Sequence, residues 1–159
     1  MKTAFLFAQK SKCVSHHVGA VIVKDKRIIS VGYNGTPPGL INCCDRFNKD
    51  QFDRMEHRKW QKVNEIHAEM NALAFAAKQG NNINECDIYV TVSPCEECLK
   101  NLTAAGIKNI YYLYLYDVEL SPNILKVIHV QEVPEAEEIK KFVKLNNLLY
   151  VPKQRQNKS

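Results

Sequence analysis

The sequence predicts an α/β fold, a mixed β-sheet with helices on both faces. Two patterns carry that expectation. Short runs of β-branched and aromatic residues alternate with longer stretches of helical apolar spacing, in the order β-β-α-β-α-β-α-β after a short leading helix. The composition suits a chain that buries a core: 45% hydrophobic and 25% charged residues over 159 positions, with six glycines and six prolines. The length fits one domain. We expect it to span residues 1–151, with 152–159 a disordered tail in which Lys153, Arg155 and Lys158 are diluted by Gln, Asn and Ser.

Each element has its own signal. Residues 1–12 read as a short helix with Phe5, Leu6 and Ala8 on its apolar side. Residues 19–23 (GAVIV) and 27–33 (RIISVGY) read as two strands joined by a polar turn, a hairpin. Residues 34–63 read as a long irregular connection, a kind that is usually functional or pinned. Residues 64–79 read as a helix, with Ile66, Met70, Leu73 and Ala77 at helical spacing and Gly80 ending it. Residues 87–92 (DIYVTV) are a strand, 95–105 a helix ended by Gly106, and 107–116 (IKNIYYLYLY) a long apolar strand. Within 117–134, VIHVQEV is a candidate extra strand. Residues 135–146 are a helix with Ile139, Phe142, Val143 and Leu145 for the core, and 148–151 a closing strand.

Charge and cysteine usage narrow the function. The net charge of +5 and pI near 8.8 are a weaker basic signature than a dedicated DNA-binding domain carries. No run approaches the roughly 18 apolar residues of a membrane span. Residues 4–8 are too short for a signal-peptide core. A cytoplasmic chain follows as the expectation, so its six cysteines should be reduced and suited to metal or catalysis.

Two motifs concentrate chemistry: His67-Ala68-Glu69 and Pro94-Cys95-Glu96-Glu97-Cys98. Both fall at helix starts, where the dipole favours the thiolate, the form that binds metal. Cys-x-x-Cys places Cys95 and Cys98 on one side of a turn, and His67 adds an imidazole. Three protein ligands with a fourth position open make a catalytic rather than a structural zinc. Such a metal lowers the pKa of its water to about 7. Glu69, close to the metal but surplus as a ligand, is then a proton carrier between water and a substrate nitrogen. An isolated Cys-x-x-Cys in a cytosolic protein is more often a structural zinc pair or a redox pair. The joint pattern, with Pro94 before the first cysteine, favours catalysis. The order H-x-E…P-C-x-x-C is itself the known signature of zinc nucleobase deaminases, so this reading matches an existing pattern.

The sequence resembles the deoxycytidylate (dCMP) deaminases, of the cytidine deaminase-like fold. The resemblance runs through Val18-Gly19-Ala20-Val21, Gly32-Tyr33-Asn34-Gly35-Thr36-Pro37, Asn42-Cys43-Cys44-Asp45, the segment from Asn64 to Ala72, and Tyr89 to Cys95. It covers most of residues 10–117, while 118–159 share only the layout. Bacteriophage members look most similar around Ser11-Lys12-Cys13 and Cys43-Cys44, so the cytoplasm would be that of a host cell. The resemblance implies a three-layer α/β/α sandwich on a five-stranded mixed sheet. It implies hydrolysis of dCMP to dUMP and ammonia, by attack of zinc-activated water at C4 with Glu69 moving the protons, supplying dUMP for dTMP synthesis. Asn34 would hold the deoxyribose, with Ala68, Thr91, Ser93 and Tyr116 beside the nucleotide. Candidates for phosphate or effector are Lys24, Lys26, Arg27, Gly35, Arg46 and Lys78. The family also implies activation by dCTP and inhibition by dTTP, with Mg2+ on the triphosphate, in a homohexamer that binds neither nucleic acid nor membrane.

The resemblance to phage members further implies a second, structural zinc on Cys13, Cys43 and His57, which would staple the long loop. Cys44, Glu56 and His16 are the alternatives for its fourth ligand. Cys86 is expected in the core, His17 and His129 without a role, and Trp60 packing the loop. Two rival readings stand beside the main one. The first is another deaminase of the fold, acting on tRNA adenosine or free cytidine. The second is a zinc-stapled nucleic-acid-binding module without chemistry, which would have no use for Glu69.

Overall fold

The first hairpin shows how the backbone is laid out. In the computed structural model, which describes residues 1–116 and 121–148, β1 (Gly19–Lys24) and β2 (Arg27–Tyr33) pair antiparallel from Gly19 opposite Tyr33 to Lys24 opposite Arg27. Asp25 and Lys26 both take positive φ, 49° and 64°, the two-residue turn that matches strand twist. β1 also pairs antiparallel with β3 (Asp87–Val92). β3 and β4 (Asn109–Tyr114) run parallel, as do β4 and β5 (His129–Glu132). The five-stranded sheet has the order β2-β1-β3-β4-β5.

Helices α1 (Lys2–Ala8) and α6 (Ala136–Leu145) cover one face. Their cluster gathers Phe5, Leu113, Val133, Ile139 and Val143. On the other face lie α4 (Ala68–Gln79) and α5 (Glu96–Ala104), over a core of Ala20, Ile22, Ile88, Val90, Leu99, Leu102 and Ile110. Fully burying side chains of that size is worth about 1.5–3 kcal/mol each. A third, smaller cluster of Cys13, Val14, Cys43 and Phe47, backed by Phe52 and Trp60, lies under α2 (Cys43–Arg46) and α3 (Arg54–Asn64).

The sandwich and its five strands agree with the sequence; two elements need correction. Among the described residues the fifth strand is β5, within VIHVQEV, the candidate extra strand. Leu148 lies outside any strand, and 149–151, like the predicted tail 152–159, lie outside the described residues. The stretch 34–63, read as irregular, contains α2 and α3. The helix read over 64–79 is broken: Glu65 and His67 are extended, and Ile66 exchanges both backbone hydrogen bonds with Gly35 (3.1 and 2.9 Å). That pairing satisfies the amide and carbonyl that leaving a helix would otherwise orphan.

Candidate metal and catalytic centre

His67 and Cys95 are the N-cap residues of α4 and α5, and Cys98 lies buried in the first turn of α5. Both helix starts lie beyond the carboxyl end of β3, where open α/β sheets place their ligands. Three features bring the side chains together. Pro94 ends the strand segment, α5 then starts on Cys95, and Asn71 ties α4 to the sheet by donating to the Tyr33 carbonyl at 2.7 Å. His67 Nδ1 lies 3.3 Å from Cys98 Sγ and 3.5 Å from Cys95 Sγ. All three ligand atoms fall within 4.8 Å of one another. Tetrahedral zinc, with bonds of about 2.0–2.3 Å to N and S, needs ligand atoms roughly 3.5 Å apart, so this donor set fits the ion.

The electrostatics agree with a thiolate site. Cys98 hydrogen-bonds Cys95 and holds its thiol down at about 3, while the same bond, with burial, drives Cys98 upward. The Cys95 sulfur raises His67 to about 8. Burial pushes Glu69, in the first turn of α4, up to about 6. A carboxyl in that range can both accept and return a proton near neutrality.

The residues predicted beside a substrate fall into two groups. Asn34, Ala68, Thr91 and Ser93 are buried at the metal end of the sheet. Asn34 donates from Nδ2 to the His16 carbonyl and accepts the Val18 N–H at Oδ1, both at 2.8 Å. Thr91 Oγ1 accepts the Gly19 N–H at 3.2 Å, and Ser93 Oγ accepts the Tyr116 N–H at 2.7 Å. Tyr116 is exposed just past β4. Gly35 joins Ile66 next to His67. Lys24, Lys26, Arg27 and Lys78 do not join them. Because β1 is antiparallel to β3, its Lys24 end lies beside Asp87, at the opposite end of the sheet from Cys95; Lys24 donates to the Asn84 carbonyl there. Lys78 is in the last turn of α4, a helix length of roughly 15 Å from His67. These cations are too far along the sheet to meet a phosphate at their own chain's metal centre. Arg46 is committed to Glu56 at 2.6 Å and lies over the Phe47 ring.

A second cluster forms from Cys13, Cys43 and His57, all buried. His57 Nε2 lies 3.2 Å from Cys43 Sγ and 3.7 Å from Cys13 Sγ. Of the alternatives for a fourth ligand, Cys44 is exposed and turned to Asp45, Glu56 pairs with Arg46, and His16 Nδ1 meets Ser15 Oγ at 2.7 Å. The group that does face the cluster is one sequence reasoning missed. Glu65 is buried, neither carboxylate oxygen makes a well-formed hydrogen bond, and the Gln61 side chain and the thiols of Cys13 and Cys43 are near enough to perturb it. Burial raises Glu65 and Cys13, and takes Cys43 up to about 12. A buried carboxylate against two thiols is costly unless a cation compensates it. Two sulfurs and one imidazole nitrogen within 4.8 Å of one another suit zinc, with the Glu65 carboxylate beside the two thiols.

A three-layer α/β/α sandwich with two thiols, one imidazole and one spare carboxylate at paired helix starts defines a zinc-dependent deaminase domain. Residues 1–114 match the model of the cytidine and deoxycytidylate deaminase zinc-binding region. The chain belongs to that family. It is 40% identical over 148 residues to the deoxycytidylate deaminase of Enterobacteria phage T4, covering 74% of this chain and 77% of that one. The phage T2 deoxycytidylate deaminase is 39% identical, with 74% and 79% covered. Among solved structures, the dCMP deaminase of cyanophage S-TIM5, in complex with dCMP and dUMP, superposes with a TM-score of 0.68 at 34% identity, over 83% of this chain and 92% of that one. A tRNA:A34 deaminase shares the fold alone, at 19% identity and a TM-score of 0.55.

Proposed function

We propose that this chain hydrolyses dCMP to dUMP and ammonia. The observation that carries the reading is the placement of buried Glu69 in the helical turn that follows His67, with His67 against Cys95 and Cys98. His67, Cys95 and Cys98 would hold zinc, which supplies Lewis-acid activation of water for attack at C4. Glu69, raised by burial, would take the two protons of that water in turn, passing the first to N3 of the ring and the second to the departing amine. Glu69 is buried in the first turn of α4, directly after His67, which would hold its carboxyl near the water and the base. Asn34, clamped through its own amide, would present its remaining capacity to the sugar, with Ala68, Thr91, Ser93 and Tyr116 around the nucleotide. The 40% identity to phage deoxycytidylate deaminases favours this substrate over tRNA adenosine, whose deaminase is like this chain in fold only.

The proposal extends to a second zinc on Cys13, Cys43, His57 and Glu65, supported by the close Cys13–Cys43–His57 group and the buried carboxylate beside its thiols. It treats residues 1–151 as one deaminase domain. It includes a reducing, cytoplasmic setting, which both thiolate sets require. Activation by dCTP, inhibition by dTTP, Mg2+ on the effector and a homohexamer are carried by the resemblance around residues 32–39. No helix among the described residues is long and apolar enough to cross a membrane.

The test is direct. The zinc-loaded protein is incubated in turn with dCMP, dCTP, cytidine and a tRNA hairpin, and ammonia release is followed. Turnover of dCMP is expected; a zinc-loaded chain that leaves dCMP intact overturns the proposal.

A further inference from the structure

The two clusters lie on one short stretch of chain. Glu65 closes α3 with its buried carboxylate beside Cys13 and Cys43, and His67 opens α4 against Cys95 and Cys98. Ile66 between them is bonded through both backbone groups to Gly35. The link between the two clusters is therefore a single residue, braced on both sides of its backbone. A second route runs the other way. Cys13 leads into residues 14–18, whose backbone grips both ends of the Asn34 amide, at His16 and Val18. The Asn34 backbone N–H also donates to the Val18 carbonyl at 3.1 Å. Asn34 precedes Gly35, so the two routes meet.

We propose that the second metal centre is a positioning device for the catalytic one. Metal held by Cys13, Cys43, His57 and Glu65 fixes the Glu65–Ile66–His67 link and the Asn34 pocket, so the two centres bind metal cooperatively. This rests on the two-metal reading above. Glu65 is a positioning residue: it acts on the catalytic centre through His67. Without a cation, its buried carboxylate gains by moving to water. That movement pulls Ile66 from Gly35 and carries His67 away from the two cysteines. Such coupling is reciprocal by linkage, and couplings of about 5–150-fold are typical.

The experiment uses the full chain, zinc alone, and competition with a chromophoric chelator. Cobalt substitution gives a second readout through thiolate-to-metal absorption. Wild type is expected to bind two metals per chain. Cys98→Ser disables the catalytic centre while keeping every ligand of the second; zinc there should bind about tenfold more weakly than in wild type with both centres filled. Glu65→Gln should weaken zinc at the catalytic centre by a like factor, speed its release to the chelator and lower kcat, with the sheet's circular dichroism unchanged. A tenfold loss corresponds to about 1.4 kcal/mol of coupling. Wild-type affinity at the intact centre of either variant overturns the coupling. If Glu65→Gln does not fold, Cys98→Ser alone decides, because the linkage is reciprocal. A wild-type chain that binds a single metal overturns the two-metal reading instead, so the two failures are distinguishable.

Discussion

Glu69 is the residue on which chemistry and stability pull apart. Its burial costs stability when charged, and on the proposed reading it provides a carboxyl near 6 beside the His67–Cys95–Cys98 cluster. Glu69→Gln keeps the shape but cannot carry a proton. Activity should fall by about 10²–10⁴-fold while zinc content and melting temperature hold; ammonia release and metal analysis on one preparation check it. Gly32 makes a different kind of point. A Cβ there would run into the backbone of Ala68 and Ala72, so its bare backbone is what lets β2 approach the first turn of α4. Gly32→Ala should destabilise by about 1–3 kcal/mol or more. At about 2–4 °C per kcal/mol for a chain of this size, a thermal melt will show it. Glu65 shows the limit of reading residues singly. In the string Asn64-Glu65-Ile66-His67 it looked like one more helical carboxylate. Only the fold reveals that it is extended, buried and beside Cys13 and Cys43. The cluster of His67, Cys95 and Cys98 was legible because its spacing is local to two helix starts.

Elements were legible where burial follows period. β1, β3 and α5 bury a continuous run or stripe, and the sequence marks them closely. α3 escaped because its buried residue is His57, while Met55 and Val63 face water. A sequence signal for it is the Asp53-x-x-Glu56 start, which the structure uses: Asp53 accepts the Glu56 N–H at 2.7 Å. β5 was harder to place than β1 because it is a four-residue edge strand of half-buried and exposed residues, its alternation too short to outweigh the apolar run at 148–151. The cap makes α3 testable. Asp53→Ala should cost about 1 kcal/mol in denaturant unfolding of the metal-loaded protein, while Asp53→Asn, also a good cap, should cost little. Equal losses in both would mean that the carboxylate acts through charge and not through capping.

The whole molecule divides by how each region is held. The sheet and its flanking helices rest on fully buried aliphatic side chains such as Ile22, Ile88, Leu99, Leu102 and Ile110. The segment with α2 and α3 rests on a small cluster, four buried residues backed by Phe52 and Trp60, with two thiols, an imidazole and a carboxylate turned inward. Aromatic edges around His57 help: Phe47 and Phe52 lie 5.2 and 5.0 Å from its ring. Such contacts are worth about 0.5–1.5 kcal/mol each, too little to order two helices against the backbone entropy of more than twenty residues. Metal binding supplies folding free energy in regions of this kind. Chelation should therefore open one part and spare the other. By hydrogen exchange, amides over residues 42–66 should lose protection when metal is withdrawn, while β1, β3 and β4 keep theirs, because their aliphatic core does not depend on the ion. Protection lost equally across the sheet would show that the metal holds the entire fold. Protection kept over 42–66 would show that the small cluster is sufficient alone, and that the buried carboxylate of Glu65 is tolerated without a cation.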